Sequence, residues 1–127
     1  DRRRVGFYGV LAGATVGVIG IGLGLGFAFG HGTVDLVTAH LRLNLLGFVG
    51  LSIVGMAYQF YPPAVGTLPG ASDRTALASI AAIGCGLLVQ VAGLVTARPP
   101  VTTAGEVVSL VGTLLYAYLL GSVFRTR

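Results

Sequence analysis

The chain has 127 residues, 54% hydrophobic and 9% charged, with a formal net charge of +4 and a mean hydropathy of +0.89. Soluble domains carry about 25% charged residues, so this composition excludes an ordinary soluble domain and points to an integral membrane protein. The basic residues are all arginine and, apart from Arg42, sit at segment ends, which excludes a nucleic-acid-binding patch, and the single cysteine excludes a disulfide framework.

Four apolar runs are long enough to cross about 30 Å of hydrocarbon as helices: about 5–30, 34–61, 75–97 and 103–124. Continuous runs favour helices over the alternating pattern of barrel strands. The expected fold is all-α: one four-helix transmembrane domain over residues 1–127.

The first run follows Arg2, Arg3 and Arg4. It is too long for a signal h-region and no A-x-A cleavage site follows it, so a span is expected. Gly9, Gly13 and Gly17 form one ladder of small residues; Gly22, Gly26 and Gly30 form a second. Both are expected to let a neighbouring helix approach closely. The alternating glycines from Gly20 to Gly26 lack the preceding strand of a nucleotide-binding loop. A Gly-flanked turn holding His31 leads to the second run.

The second run carries His40, Arg42 and Asn44 within five positions. Polar groups at membrane depth cost several kcal/mol unless paired, hydrated or ligated. At 100° per residue, His40, Asn44, Gly47, Leu51, Gly55 and Tyr58 share a stripe. The glycines are expected to leave room for a helix or a flat cofactor. Arg42 points elsewhere and is expected to pair with Asp35 or snorkel outward. His40 reads either as helix–helix glue or as a ligand, with His31 placed to supply a second ligand.

The connection at 62–73 contains three prolines and ends in Ser72 and Asp73, good helix N-cap types. The third run aligns Ala78, Ala82 and Gly86, with Gln90 one turn on; Cys85 reads as a small core residue. After Arg98-Pro99-Pro100, Thr103 and Glu106 fit a capping box. Tyr116 and Tyr118 on the fourth run read as interface anchors. Six arginines (Arg2, Arg3, Arg4, Arg74, Arg125 and Arg127) fall on one side, which is expected to be cytoplasmic, with both termini.

His40, Phe48, Gly50 and Tyr58 stand at H-x7-F-x-G-x7-Y, and Gly55 to Pro62 read G-x-x-Y-x-F-x-P. This pattern resembles the second helix of haem–copper oxidase catalytic subunits, especially the cbb3-type branch, and small four-helix membrane relatives of that subunit. The resemblance implies haem b in the cell membrane, with His40 as the metal ligand. Arg42, Asn44, Gly47, His31 and Tyr58 become the further cofactor-binding candidates. It implies one-electron transfer in a respiratory chain and a homo-oligomer or larger membrane complex in the bilayer. Two positions depart from the small relatives: Arg42 stands where they often show a second His, and Gln59 where they show His after Tyr. No histidine cluster for copper is present, so oxygen reduction by this chain alone is not expected. The alternative is a cofactor-free accessory or interaction subunit of a respiratory complex that keeps the oxidase-like helix. A carrier is ranked last, because broken helices and intramembrane acids are lacking.

Overall fold

The computed structural model describes residues 4–125; Arg2, Arg3 and Arg127 of the arginine pattern lie outside it. The described residues form four long helices and no strand: α1 (Arg4–Ala28), α2 (Val34–Phe60), α3 (Asp73–Val95) and α4 (Pro99–Phe124). Each is long and apolar enough to cross a membrane. α2 is not uniform. Its middle, Leu43–Val49, widens into a π-helical turn, and the Gly50 N–H reaches back to the Leu45 carbonyl.

Local chemistry sets the helix ends. α1 closes in a Schellman motif, with Gly30 at φ 84° and the His31 N–H on the Gly26 carbonyl at 3.0 Å. The Thr33 hydroxyl caps α2 by accepting the Leu36 N–H. Ser72 and Thr75 form a reciprocal capping box on α3, as the Ser72 position suggested. α3 closes as α1 does, but Ala97 takes the left-handed position at φ 54° and Arg98 N–H bonds the Gly93 carbonyl at 2.8 Å.

The expected start of α4 at 103 is corrected to Pro99. Pro99 and Pro100 occupy the first turn, where their missing N–H groups leave no hydrogen bond unmade. Thr103 and Glu106 therefore lie inside the helix and form no capping box.

Glycines set the distances between helices. α1 and α2 run antiparallel with Gly6, Gly9, Gly13 and Gly17 against Gly55, Ser52 and Phe48, where an added Cβ would overlap its neighbour. This is the close approach expected of the first ladder. The second ladder differs: at Gly22, Gly26 and Gly30 nothing lies within 4 Å of the position a Cβ would take. On α3 and α4, Gly86 and Gly105 face one another, Gly93 meets Thr102, and Gly112 meets Ile83. The buried core includes Val16, Leu43, Leu51, Tyr58, Ile80 and Leu87. Cys85, expected in the core, is exposed.

The outside is apolar too: Val18 and Phe60 are each 68% exposed and Leu114 60%. Helices apolar all round suit a hydrocarbon solvent and not water.

The up-down-up-down order brings Arg4 and Arg125 to the same end of the bundle. There the 62–72 connection is fastened to α4. Leu68 N–H donates to the Ser122 hydroxyl, the Thr67 hydroxyl to the Ser122 carbonyl, and the Tyr118 hydroxyl to the Pro69 carbonyl. α4 packs along α3 and meets α2 only near its ends, which leaves a cleft between α2 and α4 floored by α3.

Candidate functional site: the polar groups of helix α2

His40 lies against α1. Its Nδ1–H donates to the Gly20 carbonyl at 2.7 Å, which leaves the Nε2 lone pair as acceptor. The Asn44 amide nitrogen stands 3.1 Å from that Nε2. Phe27 meets the ring edge-on with centroids 5.3 Å apart, and Gly24 offers its bare backbone to Cε1. Both imidazole nitrogens therefore have partners inside the chain. The ring joins α1 to α2 where Gly24 lets it approach, and Gly20 makes room for Asn44 beside it.

Gly47, read as room for a helix or a flat cofactor, takes helices. A Cβ there would overlap Val16 from α1 and Leu87 from α3. Tyr58 is fully buried, its hydroxyl 2.6 Å from the Ser79 hydroxyl and its ring edge-on to Tyr116 at 5.5 Å. Tyr116, expected as an interface anchor, packs on Tyr58 inside the bundle. His31 is exposed in the turn before α2, and its side chain makes no hydrogen bond among the described residues. The described residues contain no group of three or more His, Cys, Asp or Glu able to hold a metal.

Arg42 takes partners that spacing alone did not identify. Its Nη1 donates to Gln90 Oε1 at 2.8 Å and to Glu106 Oε2 at 3.3 Å. The expected pairing with Asp35 is corrected. Seven residues along a helix is roughly 10 Å, whereas Glu106 comes to Arg42 at its own depth. Asp35 instead lines a hollow of about 360 Å³ with Arg98 and Thr102. Gln90 is buried and saturated: its amide donates to the Ser109 hydroxyl and the Gly105 carbonyl while its oxygen accepts from Arg42.

The signal for this trio lay in depth. Arg42 is the ninth residue of α2 and Glu106 the eighth of α4, counted from the same end of the bundle.

These groups border the cleft of about 640 Å³ between α2 and α4. Arg42 and Glu106 close it at one end, and Tyr116 against Tyr58 at the other. A smaller hollow of about 440 Å³ lies beside Asn44, Gly17 and Phe48. His40 lines neither. A haem on His40 would require Asn44 to leave Nε2, so the residues as packed do not fit that group.

The chain matches no family model, no curated protein and no solved structure.

Proposed function

We propose that this chain is a cofactor-free membrane subunit, a four-span module that works by association within a larger membrane assembly. The carrying observation is that His40 is spent internally, one nitrogen on the Gly20 carbonyl and the other facing Asn44. An imidazole held this way acts as a cross-link between helices, a common task of polar side chains in lipid. The filled space at Gly47 supports the same reading. Arg4, Arg74 and Arg125 favour a cytoplasmic position for both termini.

A second reading, haem b electron transfer, has one observation in its favour: the Nδ1–H donated to a carbonyl puts the lone pair on Nε2, the tautomer common to ligating histidines, although Asn44 faces that nitrogen here.

One preparation separates the two. The protein is expressed in cells that make haem, extracted in mild detergent, and examined by oxidised and reduced absorption spectra and by co-purification. A spectrum without a Soret band, together with larger partner proteins, is expected. A Soret band that disappears in His40→Ala overturns the subunit reading.

A further inference from the structure

We infer that the cleft between α2 and α4 is a binding site for a bilayer amphiphile with a neutral, carbonyl-bearing head and one long apolar chain. The inference needs only that the helices span lipid; it does not rest on the subunit reading.

The head belongs at Arg42. Of its five donors, only those on Nη1 meet acceptors among the described residues, and the side chain is 27% exposed at the cleft. Nε and Nη2 remain available to an oxygen acceptor. At 1.5 Å per residue Arg42 lies roughly 12 Å from the start of α2. This depth is within reach of hydrocarbon, where donors without partners are costly. Glu106 balances the Arg42 charge, and Gln90 is neutral and saturated, so the site carries no net charge. A neutral acceptor matches it better than an anionic head, which Glu106 repels.

The chain belongs below. Ile53, Val54, Ile83, Leu87 and Leu110 line the cleft. Side-chain pairs close it at both ends along the helix axis, about ten residues or 15 Å apart on α4. A partner's transmembrane helix would have to pass those ends. A chain entering sideways from the bilayer does not. The volume, about 640 Å³, falls in the ~300–1,000 Å³ range of small-molecule sites.

Prenylated quinones and single-chain acylglycerols share this chemistry. The chain has no tryptophan, so Leu110→Trp places one fluorophore in the cleft and Leu11→Trp one on the exposed face of α1, away from the hollow beside Asn44. Each variant, in lipid nanodiscs, is titrated with a decyl benzoquinone and separately with a brominated monoacylglycerol, both quenchers. Saturable quenching at Leu110→Trp, at least fivefold steeper than at Leu11→Trp, is expected with one or both probes, and the responding probe identifies the source.

Gly50 lines the cleft, and a Cβ there would meet only the Leu45 carbonyl, at an ordinary contact of 3.5 Å, so adding Gly50→Leu is expected to abolish the saturable part while leaving the polar trio intact. Adding Arg42→Gln is expected to weaken it about tenfold, and Arg42→Lys serves if that variant misfolds. Equal, linear quenching at both positions with both probes overturns the proposal, as does saturation that survives Gly50→Leu.

Discussion

Nη1 of Arg42 on α2 and Oε2 of Glu106 on α4 lie 3.3 Å apart, an ion pair across one end of the cleft between the two helices. Sixty-four residues separate the two in the chain. Interhelical polar contacts in membranes average about 0.6 kcal/mol and reach about 1.7. Partial exposure of both side chains keeps this pair within that range. A double-mutant cycle with Arg42→Gln and Glu106→Gln, read by detergent-micelle unfolding in SDS, is expected to give a coupling of about 0.5–1.5 kcal/mol. A coupling near zero would remove the pair as a clasp on the cleft.

His40 supplies a sharper discrimination. As a cross-link to the Gly20 carbonyl, its loss costs stability whether or not haem is available. His40→Ala is expected to lower unfolding stability by about 1–2 kcal/mol, from the hydrogen bond and the packing on Phe27. The loss should be equal in protein from haem-sufficient and haem-deficient cells. A stability that depends on haem supply in the unsubstituted chain, and not in His40→Ala, contradicts the cross-link role.

The two glycine ladders of α1 are expected to respond in opposite ways. Gly9→Ala places a methyl on the Gly55 backbone, which cannot retreat without parting α1 from α2. A loss of about 1–3 kcal/mol follows from overpacking. Gly22→Ala and Gly26→Ala meet nothing in the chain, so the gain in helix propensity is unopposed, up to about 1 kcal/mol each. Thermal unfolding of purified monomer reads both. Destabilisation at Gly22 would mean that this face packs on something beyond the single chain.

Ala97 occupies a backbone region that suits glycine, with φ 54°. A Cβ in the left-handed conformation costs roughly 1–2 kcal/mol. Ala97→Gly is therefore expected to stabilise the protein by about 1 kcal/mol, and Gly30→Ala, at φ 84°, to destabilise it by a similar amount. Unfolding midpoints moving in the same direction would refute the comparison.

Tyr58 and Ser79 form a buried hydroxyl pair at 2.6 Å, and Ser79 also donates to the Ala76 carbonyl. Tyr58→Phe leaves Ser79 with that second partner, so a cost of only about 0.5–1 kcal/mol is expected. Tyr58→Ala empties a fully buried site and is expected to cost about 3–5 kcal/mol. Similar costs for both, measured by SDS unfolding, would show that the hydroxyl outweighs the ring.

Much of the architecture is written locally. Each apolar run must satisfy its backbone within itself once in lipid, so length and hydropathy alone specify four helices. Ser72 announces a cap because its hydroxyl acts on an N–H three residues away. The Gly9, Gly13 and Gly17 ladder announces close packing because it is a property of one helix face.

Partner choice was decided elsewhere. Spacing offered Arg42 either Asp35 or the outer surface, yet only the assembled bundle brings Glu106 and Gln90 to the same depth. Pro99 and Pro100 open α4 a turn early and free Glu106 for that role. Gly47 offered room to a helix or a flat cofactor, and packing settled it with Val16 and Leu87 from two other helices. Sequence patterns report which groups one helix presents to its surroundings; which neighbour fills or pairs with them depends on the relative depth and rotation of separate helices, and that exists only after packing.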